Sequence, residues 1–194
     1  WKRHINEPPW RCTKQTIKLY IVHNVLQMTI LIKDAMILIH LAKATILEAS
    51  CDHFGYVIIP PKVMEETTSP SLKEKYADAL LIDALIKKGK IQVKEADKKL
   101  TAKANQFNIF GGEAESVALY WQEKADVLAT DDDNVRTKKD MLELNLIGTP
   151  SIILHLFQHE KISQEKAKQS IILLRKIGWF SSNVIDQVFI EVSK

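Results

Sequence analysis

The chain is short of cysteine, glycine and proline: its 194 residues hold two Cys, six Gly and six Pro. Cys12 and Cys51 are too few for a disulfide scaffold, although counting leaves a single bridge open, and they suit a reducing interior. So little Gly and Pro excludes collagen-like and low-complexity sequence. Long apolar runs are missing as well. The most apolar stretch, 29–42, is broken by Lys33 and Asp34, short of the roughly 18 uninterrupted residues that a membrane span requires. The apolar run 17–25 contains Lys18, His23 and Asn24 and lacks a small-residue cleavage pattern, so it does not form a signal peptide. A cytoplasmic protein that does not enter membranes is expected.

What is present suits one domain of ordinary size, with 46% apolar and 26% charged residues. The net charge of +3 is unevenly placed: residues 1–27 carry +4 and the rest −1. A body so near neutrality does not attract nucleic acid by bulk charge, and a polyanion would have to meet a local patch or a bound cation. Residues 1–27 have no clear period and read as an extension or upstream sequence. Met28 stands directly before a strand-like run, so the domain is expected to span 28–194.

From there, short β-branched runs alternate with helical periods, the signature of an α/β domain with a mostly parallel sheet. Strands are expected at 29–33, 56–59, 91–93, 126–130 and 144–147. Helices are expected at 35–42, with 45–49 continuing in the same manner, from Pro61 onward, and at 71–88, 113–124, 135–143, 151–159, 164–177 and 182–193. In the 71–88 helix the apolar side is read as Leu72, Tyr76, Ala79, Leu80 and Ala84.

Acids stand where strands hand over to helices or where helices begin: Asp34, Glu65, Glu113 and the run Asp131-Asp132-Asp133. Taken alone, Asp34 and Glu113 are explained by helix capping or the helix dipole, worth about 0.3 to 1 kcal/mol, and Glu65 by a solvated helix face, whereas one Asp suffices for a cap and three adjacent ones repel. Together they point elsewhere, because carboxyl ends of parallel strands share one edge, and clustered carboxylates repel unless a hard cation such as magnesium or manganese neutralises them. Glu113 and Glu115 lie about 200° apart around a helix, so only one faces a given site, and Glu113 is chosen. His40 is read as a packed histidine, and Tyr120 and Trp121 as core or interface.

The run ILIKDAMILIHLAKATIL, then YVIIPPKVMEET, then GGEAESVALYWQEKADVLATDDDNVR, resembles the PIN-domain nucleases. It is most similar to the VapC-like branch, with its Gly-Glu-Ala-Glu helix start and paired Asp before an Arg. The tail GWFSSNVIDQVFIEV resembles the closing helix of that branch. The likeness runs from about Met28 to the C-terminus, and residues 1–27 have no counterpart in it. Lys33, where an apolar residue is more usual, departs from the pattern.

This resemblance implies a PIN-like three-layer sandwich, a mostly parallel sheet flanked by helices. It also implies a metal-dependent endoribonuclease that hydrolyses RNA phosphodiester bonds, the toxin of a type II toxin-antitoxin pair. Carried over by position, the catalytic acids are Asp34, Glu65, Glu113 and Asp132, with Asp131 a possible partner. Mg2+ or Mn2+ would be held by Asp34, Glu113 and Asp132. Thr130 and Arg136, with Lys138 and Lys139 close by, are candidates for substrate contact, and charge balance beside the three Asp is the alternative role for the basic residues. RNA, a cognate antitoxin and a second copy of the chain are the expected partners, the terminal helices supplying an apolar surface.

Two other folds fit less well. A haloacid dehalogenase-type phosphatase needs an Asp where Met36 stands, and a receiver domain carries its paired acids early rather than late. A catalytically silent PIN-fold binding module is the alternative function, although a degenerate site would be free to lose an acid and here none is lost.

Overall fold

Five short strands, each followed by helix, build an all-parallel sheet in the computed structural model, which describes residues 29–177 and 180–194. The extension at 1–27, with Cys12, lies outside the described residues. The strands are β1 (Thr29–Lys33), β2 (Gly55–Ile59), β3 (Ile91–Val93), β4 (Val127–Ala129) and β5 (Leu146–Ile147), in the order β3-β2-β1-β4-β5. Parallel strands need crossovers, and the amphipathic helices supply them on both faces.

The pleat divides the core in two. Leu31, Val57, Ile59 and Ala129 point to the face covered by α1 (Ala35–Lys43), α2 (Leu47–Phe54), α3 (Pro61–Thr68), α5 (Ala77–Lys87), α9 (Thr149–Gln158), α10 (Gln164–Ile177) and α11 (Ser182–Ser193). Ile32, Ile58 and Leu128 point to the opposite face, under α6 (Lys98–Asn105), α7 (Gly111–Gln122) and α8 (Asp133–Thr137). The result is the expected three-layer α/β sandwich.

Three elements differ from the sequence reading. The helix expected at 71–88 is two: α4 (Pro70–Lys75) and α5, separated by Tyr76 in extended conformation. The buried stripe of α5 is Ala79, Ile82 and Leu85, whereas Tyr76 and Leu80 are exposed. Apolar residues occupy so many positions of ALLIDALI that the period alone does not choose a face. The helix expected at 135–143 stops at Thr137, and the Lys-rich stretch after β3 contains α6. Asp97 starts α6 as its N-cap, accepting from the N–H groups of Lys99 and Leu100 at 2.8 and 3.0 Å.

Lys33, the departure noted in the sequence, is fully buried at the end of β1. It shares the face of Leu31, so its amine turns to α2, donating to Ser50 Oγ at 2.9 Å and lying 3.9 Å from the Cys51 thiol. Burial pulls its pKa down, because the charged form loses its hydration. The folded state thus favours a neutral amine, and its penalty is absent above the unfolded pKa and grows as pH falls below it. Lys33→Met, apolar and of similar length, should stabilise the fold at pH 7 by about 1–2 kcal/mol, the loss of the Ser50 partner offsetting part of the gain. A higher urea midpoint at unchanged slope is the expected readout, and a lower midpoint would show that the amine is a net asset.

Candidate active site at the carboxyl edge of the sheet

Strand order reverses at β1: the chain proceeds to β2 and β3 on one side, then returns to place β4 and β5 on the other. The crevice at the carboxyl ends of the two strands flanking such a reversal is where ligands of open parallel sheets bind. Here both strands end in acids. Asp34 follows β1, its N–H donating to the carbonyl of Ala129 at 3.1 Å, and Thr130, Asp131 and Asp132 follow β4.

Asp34 is both a helix cap and a member of the acidic group. Its Oδ1 accepts from the N–H of Ile37 at 2.9 Å, starting α1. The residue is 4% exposed. Burial, joined by the charges of Asp131 and Glu113, pushes its pKa up to about 7 against the opposing hydrogen bonds from the Thr130 hydroxyl and Ile37. Glu113 sits in the first turn of α7.

The acid of α3 that turns toward Glu113 is Glu66, not Glu65. Glu65 stands outward, ion-paired with Lys62 at 2.8 Å, and that pair lowers its pKa. Glu66 lies one step, about 100°, around the helix, three residues after the buried Val63. Partial burial and then the charge of Glu113 raise its pKa, while the Gly112 N–H bonds to it. Gly112 is the position of closest approach between α3 and α7, since a Cβ there would stand 2.6 Å from Glu66 Oε2 and 3.1 Å from Val63 Cγ2. Glu115 accepts from the N–H of Lys62 at 3.2 Å, and its charge also bears on Glu66.

The two central aspartates have different surroundings. Asp131 accepts from the N–H of Thr149 at 2.8 Å and from the Thr149 hydroxyl, and its Oδ2 lies 2.9 Å from Nδ1 of His40. His40 is buried, with Phe180 edge-on to its ring at 5.4 Å. Asp132 caps α8, accepting from the N–H of Val135 at 2.8 Å, while its own N–H donates to Thr130 Oγ1 at 3.1 Å. Arg136 donates to the carbonyl of Thr130 at 3.2 Å, which holds its guanidinium at the rim. Gly148 leaves room for this, because a Cβ there would meet Asp131 Oδ1 at 3.0 Å and Arg136 Nη1 at 3.2 Å. Lys138 is bonded to Asn134, and Lys139 is exposed. Tyr120 and Trp121 belong elsewhere: the Tyr120 hydroxyl accepts from the N–H of Asn145 at 3.1 Å and Trp121 donates to the carbonyl of Leu142 at 3.0 Å.

The fold therefore brings Asp34, Thr130, Asp131 and Glu113 together, sets Glu66 beside Glu113, and leaves Glu65 outside. A family model described as a PIN domain matches residues 30–194. The chain belongs to the PIN-domain family. No curated protein and no solved structure matches it. Membership places this PIN domain in a nuclease superfamily, whose chemistry is hydrolysis of phosphodiester bonds and whose members typically use divalent metal. Its acids are of the type such an ion takes, but among the described residues no three of them bring their carboxylate oxygens within 4.8 Å of one another. The charges that bear most on buried Asp34 are other acids, not cations, and the nearest lysine in sequence, Lys33, turns to Ser50 instead. Hard oxygen donors gathered without a cation are the donor set that magnesium or manganese prefers. Among the described residues no helix is long and apolar enough to cross a membrane.

Proposed function

We propose that this PIN domain is a divalent-metal-dependent endoribonuclease that hydrolyses RNA phosphodiester bonds at the acidic crevice between β1 and β4. The observation that carries the reading is Asp34: a buried carboxyl whose pKa is raised to about 7 with Asp131 and Glu113 beside it. Capping α1 accounts for one oxygen of this acid, and a cation would offset the cost of burying it beside two other acids.

Asp34 and Glu113 would hold the ion, with Asp131 or Asp132 as the third acid. When bound, Mg2+ or Mn2+ supplies Lewis acidity at the phosphoryl oxygens and acidifies water. The Thr130 hydroxyl orients Asp34 and, through the N–H of Asp132, fixes the turn out of β4. Glu66, held above the ordinary carboxylate range, is placed to take the proton from the attacking water. Arg136 presents its remaining donors to a phosphate at the rim. Metal-dependent hydrolysis by water needs no covalent enzyme intermediate.

The finer placement in a VapC-like toxin branch rests on the sequence resemblance. It is supported by apolar side chains left exposed on the terminal helices, Ile172 on α10 and Val184 and Ile190 on α11, which offer a surface to an antitoxin or a second copy.

The test is cleavage of structured RNA by the full chain, with and without Mn2+, beside Glu113→Gln. Metal-dependent cleavage lost in the variant is expected, and cleavage indifferent to chelator would remove the proposal. Position within the site is tested separately by Glu66→Gln, expected to lower the rate roughly tenfold or more, against Glu65→Gln, expected to leave it within about twofold. Gly112→Ala should resemble Glu66→Gln. The new methyl displaces the Glu66 carboxylate, and misplacing a catalytic group by about 1 Å is enough for losses of that order or greater. Its stability should change by no more than about 1 kcal/mol, because the atom that must move is the far end of a flexible side chain and Ala favours the helix.

A further inference from the structure

At the other edge of the sheet, three histidines converge that the acidic crevice does not use. His53 lies in the last turn of α2, His155 in the last turn of α9, and His159 caps that helix. One ring nitrogen from each lies within 4.8 Å of the other two. Ring centroids are separated by 4.9 Å for His53 and His155, 5.0 Å for His53 and His159, and 4.1 Å for His155 and His159. His155 and His159 are four residues apart, the spacing that stacks two side chains on one helix face, and α2 delivers the third ring from a neighbouring helix.

Hydrogen bonding prepares one ring as a ligand. Nδ1 of His159 lies 2.9 Å from the carbonyl oxygen of His155. A carbonyl only accepts, so Nδ1 carries the proton and Nε2 keeps its lone pair, the arrangement by which backbone carbonyls orient metal-binding histidines. Burial, followed by the neighbouring imidazoles, pulls the pKa of His155 down to about 4, and burial with His159 and Lys161 lowers that of His53. Among the described residues no carboxylate pairs with any of the three. Packing explains part of the cluster, since Phe54 stacks on His155 at 5.3 Å. It does not explain why three basic rings meet with no acid between them.

We propose that His53, His155 and His159 form a binding site for a borderline transition-metal ion of the Zn2+ class, with the fourth position open to water. Imidazole nitrogens suit zinc, cobalt, nickel and copper, whereas magnesium and manganese prefer the oxygen donors of the acidic crevice, so the two sites select different ions. Their places also differ. The acids follow the carboxyl ends of β1 and β4. The histidines lie where α2 enters the amino end of β2 and where α9 has run back from the carboxyl end of β5, roughly 15 Å away at about 3.3 Å per strand residue. An ion here joins α2 to α9 rather than touching RNA. α9 is the helix whose first residue, Thr149, is bonded to Asp131, so the clip fixes the far end of an element that abuts the acidic crevice.

The experiment uses the full chain, prepared without a histidine tag, stripped of metal and titrated with Co2+, Zn2+ and, as a control, Mg2+. One Co2+ per chain with the visible absorption of a four-coordinate nitrogen site, displaced by Zn2+, is expected. Zn2+ at about a hundredfold excess over its dissociation constant should raise the melting temperature by roughly 5 °C or more. His159→Gln, at an exposed position that tolerates the change, should weaken Zn2+ binding at least tenfold, His53→Gln should do the same, and Asp34→Asn should leave it unaltered. Zn2+ binding that survives both histidine variants, or that disappears with Asp34→Asn, overturns the assignment. So does the absence of saturable Co2+ or Zn2+ binding.

Discussion

Asp34→Asn should reduce RNA cleavage by about a hundredfold or more and, in the same protein, raise the stability of the metal-free fold at pH 8. The loss of activity follows from removing the most buried oxygen donor of the crevice. The gain follows from electrostatics. Unfolded, this carboxyl titrates at the ordinary value of 3.8, and folded, at about 7. A raised folded pKa means that the native state favours the proton, so metal-free stability falls as pH rises from about 4 through 7 and falls no further above. The upper bound on that loss is roughly 4 kcal/mol, and Asn removes the charge while keeping a side-chain oxygen for the N–H of Ile37, since Asn and Asp cap helices equally well. Thermal melts in chelator from pH 4 to 9 test both parts. The wild type should lose stability across the window while the variant stays flatter, and a variant less stable than wild type at pH 8 would contradict the electrostatic reading of this site.

Asp34 is also one of the two acids that the sequence disclosed best. Asp34 stands immediately after a buried β-branched run and directly before a helical period, so its place at the strand end was legible without coordinates. Glu113, behind two glycines at a helix start, was legible for the same reason. The choice between neighbours was not. Glu65 and Glu66 are chemically alike and adjacent, and what separates them is a rotation of about 100° that depends on how α3 packs against α7. Gly112 accommodates Glu66 and Val63 on the side that faces α7, and nothing local to Glu65-Glu66 records it. Tyr76 poses a similar difficulty: an amphipathic period runs through it, yet its extended backbone divides the helix. The histidine cluster shows the limit most clearly. His155 and His159 are spaced for one helix face in the sequence itself, but His53 lies about a hundred residues earlier and joins them only because α2 and α9 cover the same face of the sheet.

Asp131 and Asp132 are the other pair between which the sequence left the choice open, and their surroundings predict opposite balances of stability and activity. Asp131→Ala should lower the melting temperature by roughly 10 °C. The side chain is 6% exposed, and its removal strips the N–H and hydroxyl of Thr149 and the ring of His40 of their shared acceptor. Leaving buried donors unpaired costs about 1–3 kcal/mol for each group, so a total of about 3–5 kcal/mol is expected. In a domain of this size each kcal/mol moves the melting temperature by about 2–4 °C. Asp132→Ala forfeits only the cap of the five-residue α8, worth about 1 kcal/mol. Cleavage measured well below both melting temperatures then separates their roles. If Asp132 is the acid that reaches the ion, its replacement abolishes cleavage with the fold nearly intact; if Asp131 fills that role, Asp132→Ala retains most activity and Asp131→Asn, which preserves one acceptor oxygen, loses it. The closeness of Asp131 to Asp34, strong enough to raise the pKa of Asp34, favours the second outcome, in which one carboxylate both anchors the start of α9 and faces the ion.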